Sequence, residues 1–222
     1  MLFLKDRRFM QEIRKRLENF ISDPDVLVKI DGFIIILKKY FSFNETAYDQ
    51  IQEALIFSAQ KHQHQTRRNR KTPYIVHPIG VACQLLETGN VRDPEVLIAA
   101  LLHDTVEDTH TTLDEIRAIF GEQVASFVAE VSDDKSLPKA RRKELQIEKA
   151  PYKTHGAAQI KLADALCNLI DLTEEPPFNW SQTRKENYCR WAQSVTNSLP
   201  KVNLPLKQKV DEAISRFWES HH

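Results

Sequence analysis

The 222-residue sequence predicts an all-α protein with one small β element near its N-terminus. Three observations support this fold class. Apolar residues recur at helical spacing from Asn44 onward, only five residues are glycine, and helix-starting pairs such as Asp93-Pro94 precede the apolar runs. A chain of this length with 41% hydrophobic residues can bury a full core. We therefore expect one main helical domain, residues 44–222, with an N-terminal extension, residues 1–43.

The extension is expected to contain a helix followed by a hairpin. Four apolar residues at amphipathic spacing predict a helix over residues 3–21: Phe9, Ile13, Leu17 and Phe20. Beyond it, Asp31-Gly32 separates two apolar runs, residues 26–30 and 33–37, and this dipeptide is the strongest short-range signal for a hairpin turn. We predict a small β-hairpin there, which covers the main domain or mediates self-association into a homo-oligomer.

The main domain reads as successive helices. Apolar spacing predicts helices over Ala47 to Ala59 and residues 157–172, and in two final segments that carry Trp191 and Phe217. Proline, glycine or capping residues mark the boundaries of the others: Pro78 to Gly89, Asp93-Pro94, Thr112 with Glu115, Gly121, and Pro138 to Pro151. Neither an internal repeat nor a long linker interrupts this series. The body is therefore predicted to be an all-helical globule.

Charge and cysteine content limit the classes of partner. Thirty-one basic and thirty-one acidic residues cancel, so no global field indicates binding to nucleic acid or to a membrane surface. The three cysteines, Cys83, Cys167 and Cys189, are odd in number and widely spaced, as expected of reduced thiols rather than a disulfide framework. With no apolar run of signal-peptide or membrane-spanning length, a cytoplasmic protein is expected.

Chemistry is concentrated at residues 103–108, directly behind the apolar run 96–102. The segment holds one imidazole and three carboxylates, His103, Asp104, Glu107 and Asp108, and helical spacing would place them within about one turn of each other. Like charges at this spacing repel, and desolvating them is costly unless a cation compensates. The alternative to a metal site is a helix end whose acids face water. The metal site is favoured only if residues elsewhere in the chain supply the remaining ligands.

Two distant residues complete such a set. His77 lies at a predicted helix start, and Asp164 interrupts the apolar helix around Leu162 and Leu166, where an uncompensated carboxylate would be costly. His77, His103, Asp104 and Asp164 together provide nitrogen and oxygen donors without sulfur, which suits Mn²⁺ or another first-row divalent ion, with Zn²⁺ also compatible. A single ion with open positions indicates hydrolysis, in which Glu107 and Asp108 position water or pass on a proton.

The surrounding sequence resembles a known family. Residues 65–68, 72–78, 100–109 and 161–164 are similar to the hydrolase domain of the RelA/SpoT homologues, members of the HD superfamily, and the chain has no room for a synthetase domain. It therefore resembles the stand-alone small alarmone hydrolases from about Ala54 to Val195. The resemblance implies an HD-domain helical bundle that uses Mn²⁺ to remove the 3′-pyrophosphate of ppGpp and pppGpp. It also implies the roles inferred above: His77, His103, Asp104 and Asp164 as metal ligands, and Glu107 and Asp108 as catalytic acids.

Substrate contacts are expected from basic and polar residues. The segment 61–71 carries five basic residues and no acid, and the resemblance singles out Arg67 and Arg68 for the nucleotide, while Arg70 and Lys71 are expected to be solvated. Asn168 follows Asp164 by one turn, and Lys161 shares that side, although Lys161 could simply pair with a carboxylate. By resemblance alone, Lys139 approaches phosphate and Tyr188 lies near the nucleotide; Arg141, Arg142 and Lys143 are expected at the surface.

Two other functions are compatible with the same residues. A metal site beside a basic loop does not encode guanine, so another phosphorylated nucleotide such as NADPH is an alternative substrate. A nucleotide-binding module without activity is the second alternative, and the intact pair Glu107 and Asp108 disfavours it.

Overall fold

A computed structural model describes residues 11–42 and 44–220. Residues 11–18 form α1; the remaining α-helices are α2 (Pro24–Phe41), α3 (Glu45–Lys61), α4 (Val76–Cys83), α5 (Pro94–Leu102), α6 (Thr105–Asp108), α7 (Leu113–Phe120), α8 (Glu122–Val131), α9 (Lys139–Lys149), α10 (His155–Glu174), α11 (Gln182–Ser198) and α12 (Leu204–Glu219). A π-helical turn, Gln84–Thr88, extends α4, and a 3₁₀ turn, Ala150–Tyr152, follows α9. Within these ranges there is no strand, only an isolated antiparallel bridge between Thr66 and Pro73.

The predicted hairpin over residues 26–37 is wrong, because these residues form the middle of α2. Asp23 caps this helix by accepting hydrogen bonds from the backbone of Asp25 and Val26, and Pro24 occupies its first turn. One face is buried at helical spacing by Val26, Leu27, Ile30, Phe33, Ile34, Leu37 and Phe41. A glycine inside a helix costs about 1 kcal/mol relative to alanine. Burial of that face outweighs the cost, so tertiary packing overrides the local turn signal.

Most other predicted helices are confirmed. Asn44 caps α3, Asp93 caps α5 ahead of Pro94, and the Thr112 side chain accepts a hydrogen bond from the Glu115 backbone at the start of α7. Gly121 separates α7 from α8 with a φ of 92°, in the left-handed region that favours glycine. The predicted helix over residues 3–21 is described only from residue 11, and Phe9 lies outside the described residues.

The core is centred on α5 and α10. All seven residues from Val96 to Leu102 are buried, and α5 packs against α3, α4, α8 and α10. Helix α10 packs in addition against α11 and α12. Because α2 packs on α3 and α4, its buried side chains join the same hydrophobic cluster. The two central helices bring residues near positions 103 and 164 together in the middle of the molecule.

None of the helices among the described residues is both long enough and apolar enough to cross a bilayer.

Candidate metal centre and nucleotide cleft

Three elements bring the four predicted ligands together. His77 lies in the first turn of α4, Asp164 lies in the middle of α10, and His103 and Asp104 occupy the break between α5 and α6. The single helix assumed for residues 103–108 is therefore interrupted after Leu102, and α6 is a short separate turn. The side chains of His103 and Asp104 nevertheless reach the same point, where His103 Nε2 and Asp104 Oδ2 lie 3.0 Å apart.

The ligand atoms form a compact set. His103 Nε2 lies 3.0 Å from Asp104 Oδ2, and His77 Nε2 lies 3.2 Å from Asp164 Oδ1. The crossed distances are 3.7 Å from His77 Nε2 to Asp104 Oδ2 and 3.9 Å from His103 Nε2 to Asp164 Oδ1. One ligand atom from each of His77, His103 and Asp164 falls within 4.8 Å of the others.

These residues fit a divalent cation. Both Nε2 atoms are buried and have no hydrogen-bond partner of acceptable geometry, although carboxylate oxygens lie close by. Buried polar atoms without partners are rare, and here two of them point into one carboxylate-lined space. A cation between the four side chains would satisfy both nitrogens and offset the repulsion between the carboxylates.

Neighbouring groups hold the ligands in orientation. His103 Nδ1 lies 2.7 Å from the Ala100 carbonyl oxygen, which makes Nδ1 the donor and leaves Nε2 as a lone-pair ligand. Tyr74 Oη donates to Asp104 Oδ2 over 2.5 Å. Burial lowers the pKa of His103, but the carboxylates of Asp104 and Asp164 outweigh burial and raise it to about 9. Protons and a metal ion therefore compete for this imidazole.

Asp164 has two further partners on α10. Lys161 Nζ donates to Oδ2 over 3.0 Å, and Asn168 Nδ2 donates to Oδ1 over 2.5 Å. Asn168 in turn accepts from Arg67 Nη2 over 2.9 Å, and Arg67 also contacts Asp171 Oδ2, at 2.5 Å from Nη2. A network of hydrogen bonds thus runs from the basic loop along one side of α10 to the metal centre.

Glu107 and Asp108 lie beside the four ligands. Glu107 Oε2 accepts from the Asp133 backbone over 3.1 Å, and Asp108 Oδ1 accepts from Lys135 Nζ over 2.8 Å. Burial raises the pKa of Glu107 above that of an exposed glutamate. A carboxyl group that holds its proton to higher pH is suited to general acid catalysis.

A cleft of about 330 Å³ opens over these residues. All twelve site residues named from the sequence except His103 line it. Arg142 and Lys143, expected at the surface, also line it. Seven further residues in its lining were not predicted as site residues: Tyr74, Asp133, Lys135, Gln146, Trp180, Arg184 and Trp191. Arg141 is exposed as expected and pairs with Glu144 and Glu148.

The cleft combines a cationic side with an aromatic wall. Burial and the nearby cations Arg184 and Arg68 lower the pKa of Lys139, as expected where positive charges converge without counter-ions. Tyr188 has ring centroids 5.5 Å from Trp180 and 5.3 Å from Trp191, and Arg68 lies over Trp180 at 5.3 Å. Anions and flat aromatic groups are thus the ligands that this cleft can hold.

The fold and this centre define an HD-domain protein. The HD domain family matches residues 54–193, the part of the chain that supplies the four ligands and the cleft. The chain belongs to the HD family and, within it, to the group of the MESH1 guanosine-3′,5′-bis(diphosphate) 3′-pyrophosphohydrolases.

The similarity to that group spans most of both proteins. The chain is 51% identical over 160 residues to human MESH1, covering 72% of this chain and 89% of the relative, and 48% identical over 171 residues to mouse MESH1, covering 77% and 93%. A solved structure described as a metazoan ortholog of SpoT that hydrolyses ppGpp matches with a TM-score of 0.73 and 42% identity, covering 75% of this chain and 94% of the other.

Proposed function

We propose that this protein hydrolyses the 3′-pyrophosphate of the guanosine alarmones ppGpp and pppGpp, giving GDP or GTP and inorganic pyrophosphate. The observation that carries the proposal is the cluster of His77, His103, Asp104 and Asp164, which lies beneath a cationic, aromatic-walled cleft and lines it through three of its members. The MESH1 relatives, named for this reaction, support it. Mn²⁺ is the proposed ion and the cytoplasm the proposed location.

The four ligands would hold the ion, which would acidify a water molecule and polarise a phosphoryl oxygen. Water attacks the phosphorus attached to the 3′-oxygen, and the bond between that oxygen and phosphorus breaks. Glu107, whose pKa is raised by burial, gives its proton to the departing 3′-oxygen. Asp108, anchored by Lys135, orients the attacking water.

The remaining cleft residues are assigned to substrate binding. Arg68 and Lys139 bind phosphate groups, since both are cationic and open to the cleft. Tyr188 contacts the nucleotide through its ring, as part of the aromatic wall. Arg67, Lys161 and Asn168 are already engaged with carboxylate or amide groups, so they contribute by shaping the floor of the cleft and orienting the ligands.

One assay tests the proposal. Purified protein with Mn²⁺ is offered ppGpp, NADPH and GDP, and released pyrophosphate and orthophosphate are measured separately. Pyrophosphate from ppGpp is expected, and the Asp164→Ala variant serves as the inactive control. Orthophosphate from NADPH with no turnover of ppGpp would contradict the proposal, whereas tight binding of ppGpp without turnover would indicate a regulatory module.

A further inference from the structure

One side of α2 faces solvent and is apolar at its centre. Asp25, Val28, Gly32, Ile35 and Lys39 follow each other at intervals of three or four residues, so they lie along one stripe of the helix, the α2 stripe. Val28 is 64% exposed and Ile35 is 63% exposed. Single apolar residues at a surface need no explanation. Two of them on one stripe, with a glycine between them, indicate a contact surface.

Gly32, at the centre of the α2 stripe, is not required by the packing of this chain. A Cβ added there would meet no heavy atom within 4 Å. A glycine inside a helix costs about 1 kcal/mol relative to alanine, and nothing within the described part of the chain compensates for that cost at this position. Because glycine lets another backbone approach closely, the open space over Gly32 can receive a second helix.

The two ends of the α2 stripe carry opposite charges. Asp25 lies in the first turn of α2 and Lys39 in the last turn, and Gly32 lies midway between them in the sequence. Both charged side chains are exposed, and no ion pair joins either of them to another residue that the structure describes. The stripe is therefore symmetric about Gly32 in the position of its residues and opposite in charge at its ends.

Such a stripe complements a second copy of itself when the two helices run antiparallel. With the Gly32 residues facing each other, Asp25 of each copy lies beside Lys39 of the other, and Val28 lies beside Ile35. A parallel arrangement would instead place Asp25 against Asp25 and Lys39 against Lys39, and such like-charge contacts are unfavourable. An interface in which the same patch is used by both subunits is the kind found in two-fold dimers.

We propose that the α2 stripe binds a second copy of this chain, forming an antiparallel two-fold dimer centred on Gly32. The match to the HD domain family begins at residue 54, so α2 lies outside it, and the dimer does not depend on the proposed function. No residue of the stripe lines the catalytic cleft, so each copy keeps its own open cleft. One pair of helices buries less than the about 1,200–2,000 Å² of a standard interface, so the dimer is weak and depends on concentration.

Analytical ultracentrifugation of the full chain tests the dimer over protein concentrations from about 1 μM to about 1 mM, the range of weak dissociation constants. Wild type should pass from monomer to dimer across this range. Ile35→Ser should raise the dissociation constant about tenfold or more, since each dimer loses two apolar contacts. Ile119→Ser on α7, which changes an isoleucine that is 55% exposed, is the matched control and should associate like wild type. Gly32→Leu should abolish the dimer, because its side chain fills the space between the helices but meets nothing within its own chain.

Exchange of the end charges tests the antiparallel orientation. Asp25→Lys alone should raise the dissociation constant about tenfold, because the two-fold symmetry turns two attractive pairs into two repulsive ones. Adding Lys39→Asp to the same chain should restore association to the wild-type level. An unchanged dissociation constant in Asp25→Lys, or a double variant that associates no better than Asp25→Lys, would overturn the antiparallel pairing.

Two further outcomes would overturn the dimer itself. One is a wild type that stays monomeric at every concentration, which would leave the α2 stripe to a partner other than this chain. The other is a dimer that Ile35→Ser and Gly32→Leu leave unchanged, which would place the interface elsewhere. Circular dichroism checks that each variant folds. Should Gly32→Leu lose helix content, Ile35→Ser decides, since it changes only an exposed side chain.

Discussion

The Lys161 ammonium donates to Oδ2 of Asp164 over 3.0 Å, while Oδ1 of the same carboxylate faces His77 Nε2 at 3.2 Å. The two oxygens of Asp164 are thus divided between a structural cation and the metal centre. Burial lowers the pKa of Lys161, but the Asp164 carboxylate outweighs burial and raises it. Lys161 is therefore charged, and together with Asn168, which donates to Oδ1, it holds the Asp164 carboxylate in one orientation.

The first prediction concerns Lys161. Lys161→Met should lower the affinity for Mn²⁺ by about 10–100-fold, the range seen when a group that orients a metal ligand is removed. Metal titration monitored by calorimetry measures this, with Lys29→Met as the control for loss of a lysine. Normal metal affinity combined with a raised KM would instead make Lys161 a substrate contact.

The second prediction separates metal binding from proton transfer. Asp164→Ala should abolish both bound metal and turnover. Glu107→Gln should keep the metal and lower kcat by about 10²–10⁴-fold, because an amide cannot supply the proton. Elemental analysis after dialysis gives the metal content, and single-turnover kinetics gives the rate. Full metal content in Asp164→Ala would show that the ligand set is wrong.

The third prediction concerns Asp171 on α10. This carboxylate accepts from Arg67 Nε at 3.1 Å and Nη2 at 2.5 Å, and it holds Arg67 against Asn168. Asp171→Asn should raise KM about tenfold with little change in metal content, since a charged hydrogen bond contributes about 1.5–3 kcal/mol. Glu174→Gln, an exposed acid on the same helix, is the control. An unchanged KM in Asp171→Asn would mean that Arg67 needs no such support.

The fourth prediction tests the helical N-terminal segment. A Cβ at Gly32 would have no heavy atom within 4 Å, so Gly32→Ala should raise the free energy of unfolding by about 0.5–1 kcal/mol. Gly121→Ala should lower it by about 1 kcal/mol or more, because its φ of 92° is unfavourable for alanine. Urea denaturation measures both. Destabilisation by Gly32→Ala would favour a turn at this position.

The fifth prediction is a pH dependence of stability. The pKa of lysine in an unfolded chain is about 10.4, whereas the pKa of Lys153 in the folded protein is about 8, because of burial first and of the neighbouring Lys161 second. Between these values the unfolded chain binds more protons, so the free energy of unfolding rises with pH. Relative to Lys153→Met, wild type should gain stability from pH 8 to pH 10 and lose that gain as pH falls through 8. A constant difference between the two proteins would indicate an ordinary lysine.

The clustering of the predicted ligands could be anticipated from the sequence, because each of these residues is chemically unusual at its position. His103 and Asp104 follow an unbroken apolar helix, and Asp164 interrupts another, so a buried imidazole or carboxylate at these positions requires a partner. The helices of the main domain were predictable for a similar reason, since capping residues and apolar periodicity act over a few neighbouring residues.

Only the tertiary structure decided which side of each helix packs against which other helix. Asp31-Gly32 signals a turn locally, but packing of α2 on α3 and α4 makes it helical. Arg142 and Lys143 resemble surface residues in a charged segment, yet the fold turns them into the cleft, and Lys153 acquires its surroundings from α8, α9 and α10. Such contacts join residues far apart in the chain, and local spacing carries no information about them. The sequence alone therefore determined the helices of the main domain and indicated the candidate metal ligands. Tertiary packing decided the helical state of α2, the lining of the cleft and the surroundings of Lys153.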